Sequence, residues 1–320
     1  ISESVPQGKD ELENITIKEW GKKRKFDFEI MDHLDLGVSL DILDVETAAK
    51  VTGARFYYLK NEAVLIEQAL INMVFAVLTD KKLITMLAKS VGNDCYKLFS
   101  PILPPLFIKE SVMDRMARLH PKDDRYCYEN DEIVLIGSAE HTLGPMHMDQ
   151  MFSHEDLPKR YIGFSSAFRR ESGAYGKDAR GIFRVHQFDK LEMESFTDKE
   201  SGQKEQDLIV AIQEYLVQQL ELPYRTVAIC TGDMGKPDFK QVDIECWIPS
   251  QNIYRETHTS DYMTDYQSRR LNTTYKDAKG EKHFVHMNDA TAFAIPRILI
   301  SLLENNQQAN GSVSLPKALH

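Results

Sequence analysis

The sequence predicts an α+β fold, a mostly antiparallel β-sheet flanked by helices. Three observations lead there. Short apolar strands follow one another with few helices between them, where a doubly wound fold would alternate strand and helix. Two stretches, 61–80 and 205–220, carry apolar residues at helical spacing. Neither G-x-G-x-x-G nor G-x-x-x-x-G-K-[ST] occurs, so no Gly-rich phosphate cradle opens a strand–helix unit. The 320 residues suit one large domain or two smaller ones. A formal charge of −10 argues against broad, non-specific nucleic-acid binding. Cys95, Cys127, Cys230 and Cys246 stand far apart, without zinc-ligand spacing or a disulfide framework. A reduced, cytoplasmic home follows. No run of 18 apolar residues exists, so no membrane span is expected. The start, Ile1-Ser2-Glu3-Ser4, has no signal-peptide pattern and no Met, and reads as cut from something longer.

Along the chain, residues 1–14 are polar, carry Pro6 and Gly8, and read as a loose lead-in. Lys22-Lys23-Arg24-Lys25 reads as a solvated turn. A short helix follows at 44–50. In 61–80, Ala63, Ile66, Leu70, Met73, Val74 and Val77 recur at 3-, 4- and 7-residue spacing, and Val64, Leu65, Ile71, Phe75 and Leu78 fill the other faces. A helix this apolar all round belongs inside a core or a subunit interface. Residues 81–100 show no clear period. Pro101, Pro104 and Pro105 mark a strand over 101–108 as an edge or interface strand. A strand at 133–136 leads into Gly137-Ser138-Ala139-Glu140. Strands at 161–171 and 182–193 form a hairpin, whose long polar link, 172–181, holds Gly173, Gly176 and Gly181 and suits ligand handling. The helix at 205–220, strands at 226–230, 242–247 and 283–285, and a helix at 292–303 complete the reading.

The second hairpin strand carries the chemistry. Side chains alternate faces, so Arg184, His186, Phe188, Lys190 and Glu192 share one. Phe168-Arg169-Arg170-Glu171 adds guanidinium and carboxylate from the neighbouring strand. A planar Arg fork suits phosphate and carboxylate, and a Phe ring offers a base a stacking surface. A carboxylate can read an exocyclic amine. Together these suit a nucleoside triphosphate lying on an antiparallel sheet. Arg297 interrupts an apolar stretch, which fits either a helix-end salt bridge or a phosphate clamp. Glu256 and Thr259, three apart, could share a hard cation such as Mg²⁺, although the spacing alone favours an ordinary surface pair. His141 and His147 read as structural. No G-x-S-x-G elbow or Cys/His pair supports a covalent nucleophile.

These residues also resemble a known family. Phe168-Arg169-Arg170-Glu171-Ser172-Gly173 with Arg184-Val185-His186-Gln187-Phe188-Asp189-Lys190-Leu191-Glu192 resembles motif 2 of seryl-tRNA synthetases, which are class II aminoacyl-tRNA synthetases. Thr291-Ala292-Phe293-Ala294-Ile295-Pro296-Arg297 resembles motif 3. The helix at 61–80 followed by Pro104-Pro105 looks like motif 1, the dimer element. Gly53-Ala54-Arg55-Phe56-Tyr57-Tyr58-Leu59 and Asp243-Ile244-Glu245 are similar to seryl enzymes in particular. The likeness runs from about Val5 to Leu319.

The resemblance implies a homodimer with one catalytic domain over 15–320, preceded by the lead-in. It implies that serine and ATP form seryl-adenylate and pyrophosphate, and that the seryl group then passes to tRNA(Ser). By position, Arg169 holds the α-phosphate and the serine carboxylate, Glu171 the adenine amine, and Phe188 stacks on adenine. Arg184 and Arg297 face the outer phosphates. Glu256 and Thr259 match Mg²⁺ ligands. Ser138, Glu140, Glu192, Asp289 and Thr291, with Arg169, surround the amino acid. Ser138 stands where the family has Thr, Thr259 where it usually has Ser, and Asp289 where it usually has Asn. The stretch 85–100 is longer than in relatives. The family's N-terminal coiled-coil arm, which grips tRNA, would end where this chain starts, so an isolated core with weakened tRNA charging is expected. Two other readings stand beside this one. A non-catalytic, nucleotide-binding dimer is favoured only by Asp289. A ligase loading a carrier protein would need zinc.

Overall fold

The computed structural model describes residues 1–172, 178 and 180–320. Most of the expected hairpin link at 172–181 therefore lies outside the described residues. Eight strands build the central sheet: β1 (Ile15–Trp20), β2 (Ser100–Ile102), β3 (Lys159–Phe168), β4 (Gln187–Thr197), β5 (Tyr224–Ala228), β6 (Lys240–Ile248), β7 (Ile253–Thr264) and β8 (His286–Ala294). Their order across the sheet is β1-β5-β6-β7-β8-β4-β3-β2. All neighbours run antiparallel except β2, which lies parallel to β3. The fold class is the one read from the sequence.

The helices α1 (Glu62–Thr79), α2 (Lys81–Ser90), α3 (Gly202–Gln219) and α4 (Ile295–Asn306) border the sheet. Leu191 and Met193 of β4 and Ile244 and Cys246 of β6 pack with Leu70 and Val74 of α1, Leu208, Ile212 and Leu216 of α3, and Ile298 and Leu302 of α4. The intervening even-numbered residues of β4 point to the opposite face. A second core on that side joins Met113, Met116, Val134 and Ile136 to Phe196, Met263 and Met287 of the sheet. Its outer layer contains a small sheet of Phe107–Lys109, Ile133–Leu135 and Cys127–Tyr128. The expected strand at 101–108 is thus two strands in two sheets, because Pro104 and Pro105 interrupt the ladder between them.

By length and composition, α1 is the one described helix apolar enough to cross a membrane. Here it buries Ala63, Ile66, Leu70, Ile71, Val74, Val77 and Leu78 against the core and leaves Val64 and Leu65 exposed. The segment without a clear period resolves into α2 and a strap pinned by Arg160 of β3. That guanidinium is fully buried. It donates from Nε to Glu205 Oε1 at 2.6 Å, from Nη2 to Glu205 Oε2 at 2.7 Å, and from Nη1 to the Lys97 carbonyl at 2.5 Å. One ion pair thereby joins a sheet strand, a helix and the strap.

Residues 1–14, expected to be loose, lie against 228–239. Val5 is buried, the Ser2 N–H donates to the Phe239 carbonyl at 3.0 Å, and the Thr231 N–H donates to the Pro6 carbonyl at 3.0 Å. The basic run is also partly docked. Arg24 donates to the Gln307 carbonyl at 3.0 Å, and Lys23 lies 3.9 Å from the Trp247 ring centre. The largest difference is in the centre of the sheet. The sequence reading places no strand at β7 or at β8. Ala292–Ala294 belongs to β8, and the helix begins only at Ile295. Both strands carry polar side chains toward the site and each contains a bulge, so neither shows a clean alternation.

Candidate active site

The face of β4 away from the helices presents Phe188, Lys190, Glu192 and Glu194. Across from Glu192 in β3 stands Gly163. A Cβ there would lie 2.8 Å from Leu143 and 3.0 Å from Ala139, so glycine lets the short helix Glu140–Leu143 settle onto the strand. That approach brings Ser138 Oγ to donate to Glu192 Oε2 at 2.9 Å. Lys190 pairs with the same carboxylate.

Beyond the strand ends the hairpin stays registered. The Arg169 N–H donates to the His186 carbonyl at 2.9 Å. Arg169 Nε donates to the Gly137 carbonyl at 3.0 Å, and its guanidinium lies 5.4 Å from the Phe188 ring centre. Burial, with Arg297 adding to it, pulls the pKa of Arg169 below its ordinary value, against the pull of Glu171. Glu171 has a left-handed backbone, φ 51°, and pairs with Arg184 at 2.8 Å. Arg184 lies before β4 begins, so its place on this face comes from the hairpin's approach rather than from strand alternation.

Two bulges shape the neighbouring strands. In β7, Ile244 faces His258 and Glu245 faces Glu256, so Thr257 is the extra residue. Residues three apart normally point to opposite faces of a strand. The bulge reverses the phase and puts Glu256 and Thr259 on one side. In β8, Leu191 faces Phe293 and Glu192 faces Thr291, so Ala292 is extra and Thr291 stands directly across from Glu192. Gln213 of α3 spans the gap between these strands from behind. Its amide donates to the carbonyls of Thr259 at 2.7 Å and Thr291 at 2.8 Å. Asp243 of β6 stands opposite Thr259 and Glu245 opposite Glu256. Glu256 and Thr259 offer oxygen ligands alone, the type a hard divalent cation prefers.

Arg297 sits in the first turn of α4, where Pro296 needs no N–H partner. A cation is disfavoured at the positive end of a helix. Arg297 meets this by pairing with Glu256 Oε1 at 2.6 Å, with its guanidinium 4.8 Å from the Phe183 ring centre.

The floor is acidic. Asp261 of β7, Asp289 of β8 and Glu194 of β4 stand in register across three adjacent strands. Burial, with neighbouring carboxylates adding to it, pushes all three carboxyls well above the ordinary range. Arg118 reaches in from the loop after Glu110–Arg115. Its Nε donates to Glu140 Oε1 at 2.7 Å and its Nη2 to Asp289 Oδ2 at 3.3 Å. Burial opposes ionisation of Glu140, but Arg118 and the Gln267 amide outweigh it and hold that carboxyl near 2. His141 is kept neutral by burial, its pKa lowered to about 3, and its Nδ1 accepts from the Gly137 N–H at 3.0 Å.

All twelve site residues named from the sequence line two adjoining cavities. One, about 540 Å³, is lined by Ser138, Glu140, Arg169, Glu171, Arg184, Glu192, Thr259 and Asp289. The other, about 90 Å³, adds Phe188, Glu256, Thr291 and Arg297. Arg118, Arg125, Lys190 and Asp261 line them too, and the sequence reading gave none of these a role in the site. Lys190 was placed on the right face by alternation. Arg118 and Arg125 carry no local signal, because they come from a loop that meets the sheet only in three dimensions.

Comparison with known proteins agrees with this architecture. Residues 124–306 match the tRNA synthetase class II core domain (G, H, P, S and T). The chain is 42% identical to the serine–tRNA ligase of Dictyoglomus thermophilum, over all of this chain and 72% of that protein. It is 39% identical to that of Nitrosopumilus maritimus, with the same coverage. Among solved structures it resembles a seryl-tRNA synthetase from Pyrococcus horikoshii complexed with ATP, with a TM-score of 0.90 and 36% identity over 99% of this chain and 72% of that one. A cytoplasmic serine–tRNA ligase from Naegleria fowleri in complex with AMP gives a TM-score of 0.87 and 30% identity, over 100% and 73%. On this combination of sheet, site and likeness, the chain belongs to the serine–tRNA ligase family.

Proposed function

We propose that this chain joins serine to ATP as seryl-adenylate, releasing pyrophosphate, and then passes the seryl group to the 3′ end of tRNA(Ser). The observation that carries the reading is the convergence of Arg169, Phe188 and Arg297 on one cleft floored by β4. A serine carboxylate oxygen attacks the α-phosphorus, the bond to the bridging oxygen of pyrophosphate breaks, and the electron pair leaves with pyrophosphate. The nucleophile is already anionic, so no general base is required. The work is alignment and charge stabilisation.

Arg169 holds the α-phosphate and the serine carboxylate together. Phe188 stacks on adenine and Glu171 accepts from its amine. Arg184 and Arg297 take the outer phosphates. Ser138, Glu140, Glu192, Asp289 and Thr291 surround serine, and a buried polar wall of this kind rejects alanine because its groups would be left unpaired. Glu256 and Thr259 would hold Mg²⁺, with Asp243 and Glu245 close by; the ion would neutralise phosphate charge. Residues 15–320 work as one catalytic domain. We further infer a homodimer formed along α1, whose exposed Val64 and Leu65 supply an apolar face, and a cytoplasmic location.

Serine-dependent exchange of pyrophosphate into ATP tests the reading, with threonine and alanine in parallel. Serine is expected to support exchange and the other two to give little. Arg169→Ala is expected to reduce it by about 10³-fold or more. Near-normal exchange in that variant would remove Arg169 from the proposed centre.

A further inference from the structure

Asp289 sets a third carboxyl between Asp261 on one side and Glu194 on the other. Carboxyls stacked in this way repel whenever more than one of them ionises. A floor of this kind needs a cation, and among the described residues Arg118 is the one hydrogen-bonded to Asp289. Lys190, another cation lining the cavity, is engaged by Glu192. Arg118 is held in place independently of the carboxylates. Its N–H donates to the Met113 carbonyl at 3.1 Å, its own carbonyl accepts from Arg125 Nε at 3.0 Å, and the flanking Met116 and Leu119 are buried in the second core. The side chain enters the cavity from a fixed backbone, and its planar fork reaches two carboxylates at once.

We propose that Arg118 is a positioning residue of the amino-acid pocket, aiming Glu140 and balancing Asp289 so that the pocket binds serine in one arrangement. The inference deepens the serine-activation reading and rests on it. Its path is short. Arg118 and Gln267 both donate to Glu140 Oε1, at 2.7 and 2.9 Å. The Glu140 N–H donates to Ser138 Oγ at 3.2 Å, and Ser138 Oγ donates to Glu192. Without Arg118, the Glu140 carboxylate keeps, among the described residues, the hydrogen bond from the Gln267 amide, and Asp289 loses its hydrogen-bonded cation. Phe188 and Arg297 line the adjoining cavity, and Glu171 and Arg184, which share the cavity of Arg118, pair with each other, so the groups for ATP do not depend on Arg118.

The test is steady-state pyrophosphate exchange with the full chain, measuring KM for serine and for ATP separately. Arg118→Gln is expected to raise the serine KM roughly tenfold or more while the ATP KM stays within about twofold. Arg118→Lys keeps the charge but lacks the fork, so it is expected to raise the serine KM about threefold or more. In an Asp289→Asn background, the Arg118→Gln effect on serine KM is expected to shrink by about threefold or more, since less charge then needs balancing. Equal shifts in both KM values, no shift in either, or strictly additive effects would overturn the proposal. Should Arg118→Gln fail to fold, Arg118→Lys decides the question, and an unchanged serine KM there refutes it. Wild-type exchange with serine tests the functional reading itself, so the two failures are distinguishable.

Discussion

Glu194 has no fractional exposure, and neither carboxylate oxygen finds a hydrogen-bond partner among the described residues. Burial pushes its carboxyl well above the ordinary glutamate range, and Glu140 and Glu192 add to the effect. Between the ordinary value and the raised one, the folded state keeps a proton that the unfolded chain releases. Folding stability therefore falls as pH rises through that window. Glu194→Gln removes the ionisation. It is expected to stabilise the protein by about 1 kcal/mol at pH 8 and to lose that advantage near pH 5. Urea melts at the two pH values check this, and a pH-independent difference would contradict it. His258 works with the opposite sign. Burial lowers its pKa to about 3, so its contribution is complete above about 6.5 and is lost as pH falls below that.

The elements show why some of the site was legible and some was not. β4 could be read because its helix-facing positions, Leu191 and Met193, are apolar and the alternating ones are not. Its start was placed too early, since the chain bends at Arg184 and His186 and joins the ladder only at Gln187. β7 escaped notice because Thr257 breaks its alternation and because His258 and Ser260 are polar even on the helix side. Glu256 and Thr259 looked weak at a spacing of three for the same reason, and the bulge is what makes that spacing work. Ser138, Glu140 and Asp289 carry no periodic signal at all. They were reached through the resemblance alone. α3 shows a further limit. Its apolar spacing revealed the helix, but not that Glu205 takes the fully buried Arg160 as a partner. Removing one member of such a pair leaves the other charge uncompensated. Glu205→Ala is expected to cost about 3–5 kcal/mol in a denaturant melt, with the strap at 93–97 loosened in hydrogen exchange. A loss under about 1 kcal/mol would mean that the pair does not hold the strap.

At the scale of the whole molecule, one sheet serves two cores. Its helix side is apolar and supplies stability, while its other side is polar at the centre and closed by the second core at one end. α1 sits at the margin, with buried residues on one side and Leu65 at 69% exposure on the other. Leu65→Glu is expected to shift sedimentation from twice the chain mass to the single chain without loss of helical circular dichroism. A variant that remains at twice the chain mass would move the interface elsewhere. The cleft has its own safeguard. Glu171 is already occupied by Arg184, and Glu256 by Arg297. A lone orthophosphate could draw off Arg184 only by stranding the largely buried Glu171 with nothing in exchange. A molecule that brings an amine donor for one acid, a counterion for the other and a string of anionic oxygens for both cations satisfies every severed partner at once. The resting protein is thereby insulated against the small anions around it and yields to a ligand that matches the whole pattern.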